Sequence, residues 1–125
     1  MDKKYLALND ISAYKKSFLL SNYVWEIVYS WGYFEKDTVG KQFVRATDSI
    51  SANVAEGFGR YGKKDKIKFY YYSRGSVKES LDWNEKAKKR KLIKKEDYDK
   101  IYKELNSLSK ELNTLIQFTN NHLTI

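Results

Sequence analysis

Residues 96–120 read EDYDKIYKELNSLSKELNTLIQFTN, and within them Ile101, Leu105, Leu108, Leu112, Leu115 and Thr119 recur at alternating steps of four and three. That spacing lays one side chain per turn along a single stripe of an α-helix, whereas a strand would alternate every second residue. Glu96, Asp97 and Asp99 crowd the first turn, where carboxylates meet the positive end of the helix dipole. A helix apolar along one stripe must bury that stripe, so matching stripes are expected elsewhere in the chain.

Three more are legible upstream. Residues 64–90 repeat Ile67, Tyr70, Val77 and Leu81; residues 37–56 place Val39, Phe43, Ala46, Ile50 and Val54 on one face. Asp37 is the expected N-cap of that second helix, and Gly57 is expected to close it in the left-handed conformation. Residues 10–31 carry two adjacent stripes: Ile11, Tyr14, Phe18, Trp25 and Val28, then Leu20, Val24, Ile27 and Trp31. This first helix is therefore apolar over an arc wide enough to need cover on two sides, before Gly32 ends it. The 125 residues contain no proline, as long uninterrupted helices require. Helices joined by breaks of about 5–7 residues pack antiparallel to their sequence neighbours, so an all-α, up-down-up-down antiparallel four-helix bundle is predicted, one domain over 1–125. The tail from His122 to Ile125 is expected to fray.

Catalytic chemistry finds little footing. No cysteine is present, which removes disulfides and thiolate metal sites. The single histidine, His122, lacks the Glu-x-x-His spacing of a di-iron bundle and reads as a solvated tail residue. Ser49 has no histidine partner, and Asp48, Glu56, Glu79 and Asp82, the candidate carboxylates of helices two and three, read as ion-pairing groups rather than metal ligands. Gly57-Phe58-Gly59-Arg60-Tyr61-Gly62 spells G-x-G-x-x-G, but a helix precedes it where a dinucleotide site needs a strand. It reads as a turn whose backbone N–H groups and Arg60 could still meet a phosphate. No enzyme, no cofactor and no metal is expected. Arg74 lies between Tyr70 and Val77, where a bare guanidinium is prohibitive. A structural polar cluster of Arg45, Ser49, Asn53 and Glu56 is expected to receive it, with Glu56 as its partner.

Charge is the informative quantity. The net charge is +8, and residues 63–95 alone hold thirteen basic against four acidic residues, while 1–35 are neutral, 36–62 are +1 and 96–125 are −2. On a helical wheel Lys64, Lys68, Lys78, Lys86 and Lys89 fall within an arc of about 80°, interrupted by Asp82. Residues 86–95 concentrate seven basic groups, Lys88, Arg90 and Lys91 among them, where a helix C-terminus needs one or two. Polyanion binding is the expected account of the surplus, with a merely solubilising surface the alternative. Phe69-Tyr70-Tyr71-Tyr72 places aromatics around most of the third helix; Tyr70 belongs to the core while Phe69 and Tyr72 point elsewhere, and a subunit interface is their expected home, with base stacking the alternative. Met1–Tyr5 has no apolar run behind its lysines and no segment approaches the roughly 20 apolar residues of a membrane span, so a cytoplasmic protein without membrane contact is expected.

The stretch from Arg45 to Arg60 also carries a pattern. Arg45, Ala46, Ser49, Ile50, Asn53, Ala55, Glu56, Gly57, Gly59 and Arg60, followed by Arg74, Gly75, Ser76 and Glu79, resemble the signature of the four-helix-bundle proteins encoded in intervening sequences of bacterial 23S ribosomal RNA genes. The resemblance covers nearly the whole chain. It implies a bacterial origin, a ring-like homopentamer and kinship with accessory proteins of diversity-generating retroelements, which bind a reverse transcriptase and nucleic acid through basic surfaces. Ser51 stands where many members have proline, and Lys63 and Lys94 stand where serine or threonine commonly caps the third and fourth helices. The expectation is a non-catalytic, oligomeric accessory protein that binds nucleic acid, RNA first, with weak sequence preference. The alternative is a scaffold that contacts a partner enzyme such as a reverse transcriptase and touches no nucleic acid itself.

Overall fold

The stripe read from residues 96–120 is the wall of the core: Ile101, Leu105, Leu108 and Leu112 are fully buried, joined by Tyr98, Ile116 and Thr119. They belong to α4 (Lys95–His122), the last of four long helices after α1 (Ser12–Tyr29), α2 (Lys41–Phe58) and α3 (Lys63–Lys89). The structure, a computed structural model, describes residues 7–123 and contains no strand among them. Each helix touches its sequence neighbour and α1 closes the square against α4, giving the up-down-up-down antiparallel bundle. The reading of Met1–Tyr5, and the fraying expected at Thr124 and Ile125, lie outside the described residues. His122 is still helical: its ring stacks on Phe118 with centroids 4.3 Å apart, which extends the last turn past the expected end at residue 120.

On α2 the predicted stripe is the observed one, with Val39, Phe43, Ala46, Ile50 and Val54 all buried. The helix is entered differently. A turn of α-helix, Tyr33–Glu35, runs through a π-helical turn, Lys36–Gly40, directly into α2. Asp37 is therefore inside a helical run rather than its N-cap, and its carboxylate lies 3.4 Å from Lys41 Nζ. Gly57 is likewise within the helix and has no positive φ. Its role is close approach: a Cβ there would stand 2.7 Å from Tyr70 Cε1 and 3.0 Å from the Lys66 carbonyl on α3. The α2–α3 seam is thus as tight as a missing side chain allows.

On α1 the two stripes part company. Leu20, Val24 and Val28 are buried with Ala13, Ser17 and Ser21, while Phe18, Leu19, Trp25 and Tyr29 face outward, Leu19 and Tyr29 being 68 and 67% exposed. The first stripe was expected to share the core and does so only in part: Ile11 and Val28 are buried and Tyr14 is half-buried, while Phe18 and Trp25 are left on the surface beside Leu19 and Tyr29, which belong to neither stripe. On α3 the buried positions are Tyr70, Ser73, Val77, Ser80, Asn84 and Ala87, a seven-residue repeat of mostly small or polar side chains. Ile67 and Leu81 pack only on its margin. Ser73 Oγ donates to the Ile50 carbonyl at 2.7 Å, and Asn84 Nδ2 donates to the Tyr98 carbonyl at 3.2 Å. These bonds tie α3 to both neighbours and satisfy polar groups whose burial would otherwise cost stability. Neither α3 nor α4 has a side-chain N-cap bond; Gly62 and Lys94 occupy the cap positions. Lys63, which stood in the capping neighbourhood of α3, is its first helical residue.

Candidate nucleic-acid interface

The core repeat of α3 fixes what its opposite face presents. With Ser73, Val77, Ser80 and Asn84 turned inward, Lys64, Lys68, Lys78 and Lys89 are exposed and Lys86 is half-buried along one outer ridge. Lys88, Arg90 and Lys91 extend it around the C-terminal end, and half-buried Arg60 flanks its start. Three of these cations are partnered: Arg60 with Glu56 at 2.6 Å, Lys68 with Asp65 at 3.5 Å and Lys86 with Asp82 at 2.6 Å. Among the described residues no carboxylate comes within 4.0 Å of Lys64, Lys78, Lys88, Lys89, Arg90 or Lys91. The pairs that exist are solvent-exposed and weak enough for a polyanion to displace.

The end of α3 is built at some expense. The Leu92 N–H donates to the Ala87 carbonyl at 2.9 Å and the Lys91 N–H to the Lys88 carbonyl at 3.0 Å, closing the helix in a Schellman turn. The left-handed residue of that turn is Lys91, at φ 61°, where glycine is the unstrained choice. The lysine in this position is exposed.

Aromatic rings are interleaved with the cations. The Arg60 guanidinium sits 4.6 Å from the Phe69 centroid, Arg74 5.1 Å from Tyr71, Lys86 Nζ 4.5 Å from Trp83 and Lys88 Nζ 4.3 Å from Tyr98. Lys66, which periodicity did not single out, donates to the Phe58 carbonyl at 2.8 Å and so caps α2 from the neighbouring helix. Burial holds its pKa below the usual lysine value. Tyr61, at the turn between α2 and α3, is largely exposed and was also missed, because a lone tyrosine between glycines carries no periodic signal.

The polar cluster expected around Arg74 does not converge. Glu56 is held by Arg60, and Arg74 Nη1 instead donates to Asn113 Oδ1 on α4 at 2.9 Å. Arg74 follows the buried Ser73 by one residue, which rotates it about 100° off the core line toward α4 and away from α2. Ser49 Oγ and Asn53 Nδ2 return to carbonyls of their own helix, those of Arg45 and Ser49, at 2.8 and 2.9 Å. Arg45 and Ser49 belong to a different feature, an open groove of about 540 Å³ between α1 and α2 lined by Trp25, Tyr29, Asp48 and Ala52 among others. Burial raises the Asp48 carboxyl above its ordinary pKa. Among the described residues no three histidine, aspartate or glutamate side chains gather as metal ligands, and no helix is long and apolar enough to cross a membrane.

The fold has solved counterparts. A crystal structure of a protein of unknown function from the S23 ribosomal protein family of Bacteroides thetaiotaomicron VPI-5482 superposes with a TM-score of 0.75 at 21% identity, covering 83% of this chain and 97% of that one. No curated protein matches the chain. The model of the 23S rRNA-intervening sequence proteins matches residues 9–114, which includes the Arg45–Arg60 signature, all of α1, α2 and α3, and most of α4. The chain belongs to the 23S rRNA-intervening sequence protein family.

Proposed function

We propose that this chain is a cytoplasmic, oligomeric accessory protein that binds nucleic acid through the outer ridge of α3 and performs no catalysis of its own. One observation carries the reading: a line of cations from Lys64 to Lys91 on the face opposite the core repeat, most of them without an acidic partner among the described residues. Fixed positive charge along a rigid rod releases counterions from a polyanion, and affinity then falls linearly in log–log with salt. Four or five phosphate contacts on a single strand give a slope near about −3. Fluorescence anisotropy with labelled RNA and DNA across salt concentrations tests this directly. The triple change Lys88→Glu, Lys89→Glu and Lys91→Glu is expected to abolish binding with helicity intact, since all three residues are exposed. Binding that ignores the triple reversal would return the protein to the scaffold reading.

The outward stripe of α1 favours self-association. Phe18, Trp25 and Tyr29 are exposed along one outward line of α1, and Trp25 and Tyr29 line the groove together with Arg45 and Ser49; exposed apolar surface of this kind on small proteins marks interfaces. Light scattering is expected to return a homo-oligomer at micromolar concentration; a monomer throughout that range defeats this part of the proposal.

A further inference from the structure

We infer that the middle of α3 is a saddle for an unpaired nucleic-acid strand, centred on Gly75 and flanked by the rings of Tyr71 and Tyr72. This rests on the nucleic-acid reading above and specifies its ligand as single-stranded. Gly75 lies inside a 27-residue helix, is exposed, and a Cβ added to it would meet nothing within 4 Å. Packing within the chain therefore supplies no reason for a residue that weakens a helix relative to alanine. Its place on the helix does. At 100° per residue Gly75 falls in the same arc as Lys64, Lys68 and Lys78, so the one position without a side chain interrupts the line of lysines at its centre. A missing side chain on an exposed charged ridge lets a ligand come down onto the helix backbone.

What would meet that ligand is aromatic. Tyr71 and Tyr72 are 50 and 52% exposed, yet neither ring is loose. Tyr71 is backed by the Arg74 guanidinium, itself anchored on Asn113, and Tyr72 stands edge-on to Phe69 with centroids 5.3 Å apart. Rings held by neighbours lose less freedom when a base stacks on them. Of the acids on this face, Asp65 and Asp82 are paired to Lys68 and Lys86, and Glu79 accepts from Trp83 Nε1 at 3.3 Å. The surface around Gly75 thus combines free lysine charge for phosphates with exposed ring faces for bases. A duplex offers the phosphates but keeps its base faces stacked internally, so the rings contribute only with an unpaired strand.

The test uses the full chain and anisotropy at low salt, with labelled oligoadenylate and oligouridylate RNA of about 12 nucleotides and a duplex of the same length. Single strands are expected to bind about tenfold or more tighter than duplex, oligoadenylate ahead of oligouridylate because its bases stack more strongly. Gly75→Gln fills the saddle without changing charge; it is expected to lower single-strand affinity about tenfold while leaving the salt slope and the thermal midpoint no lower than wild type. Tyr71→Leu combined with Tyr72→Leu is expected to remove the preference for single strands and keep the duplex affinity. Wild-type affinity in Gly75→Gln, or equal affinity for duplex and single strand, overturns the saddle alone. A changed oligomeric state in Gly75→Gln also overturns it, assigning the glycine to a contact between copies. Wild-type protein that binds none of the probes overturns this inference together with the reading it rests on.

Discussion

Replacing Gly57 with alanine adds one methyl group at the tightest point of the α2–α3 seam. In an open helix interior that change gains about 1 kcal/mol, because alanine loses less backbone freedom on folding than glycine. Here the new Cβ would stand 2.7 Å from Tyr70 Cε1 and 3.0 Å from Tyr70 Cδ1, against an ordinary carbon contact of about 3.5–4.0 Å. Tyr70 is 2% exposed and cannot swing away, and the third neighbour, 3.0 Å off, is the Lys66 backbone carbonyl. Either the helices part or the ring leaves its rotamer, and overpacking of this kind costs about 1–3 kcal/mol. The net expectation is a destabilisation of about 1 kcal/mol, reaching about 2 if the seam is rigid. Gly75→Ala is the internal control: with nothing within 4 Å it keeps the intrinsic gain and should stabilise by about 0.5–1 kcal/mol. Urea unfolding of both variants at one protein concentration reads the opposite signs as midpoint shifts in opposite directions. Tyr70→Leu in the Gly57→Ala background should recover part of the loss, since the overlap is with the ring. A Gly57→Ala protein as stable as Gly75→Ala would refute the close-approach account of Gly57.

Three further outcomes follow from the same structure. Arg74→Leu should cost about 1 kcal/mol or less in denaturant unfolding, because a half-buried guanidinium bonded to one amide is not a buried ion pair; a loss of about 3–5 kcal/mol would restore the Glu56 partnership predicted from the sequence. Lys91→Gly should raise stability by about 1 kcal/mol by relieving the left-handed backbone, and should weaken nucleic-acid binding by the loss of one phosphate contact; thermal unfolding and anisotropy separate the two. Lys16 Nζ bonds Glu111 Oε2 at 2.8 Å between α1 and α4, and this hydrogen bond is the main cause that holds the Glu111 pKa below its usual 4.5. A depressed carboxyl contributes stability above its unfolded pKa and loses it as pH falls through the folded one, so Glu111→Gln should flatten the acid side of the stability profile below about pH 4.5. An unchanged acid limb would mean that water already screens the pair.

How far the residues alone carry the structure can be judged helix by helix. The α2 and α4 stripes name most of their buried residues because each is largely a single apolar line, and one line has one way to turn; of the α4 stripe only Leu115 is half-buried, with Ile116 beside it in the core. Helix α1 offers two lines of comparable hydrophobicity, and only the presence of α2 and α4 selects Leu20, Val24 and Val28 over Phe18 and Trp25. Helix α3 hides its seam behind small polar residues: Ser73 and Asn84 look like surface until Ile50 and Tyr98 supply the carbonyls that they bond, and the buried Ser80 returns to the Ser76 carbonyl of its own helix. Arg74 was placed on the core for the same reason, since Ile67 and Leu81 drew the stripe about one position away from where the seam runs. The basic ridge was legible because charge needs no partner to be counted, and so was the place of Tyr72 off the core, whereas the contacts that hold the two tyrosine rings and the empty surroundings of Gly75 were not.

The sequence by itself determined the number of helices, their antiparallel order and the location of the positive charge, because periodicity, breaks and ionisable groups are local properties of a chain. Tertiary structure alone decided which residues of the two stripes on α1 are core, that Gly57 serves a seam rather than a turn, and that Glu56 and Arg74 do not meet. Those are questions of which surfaces lie against one another within a few ångströms, and a residue's distance to a neighbour on another helix is not written in its own segment.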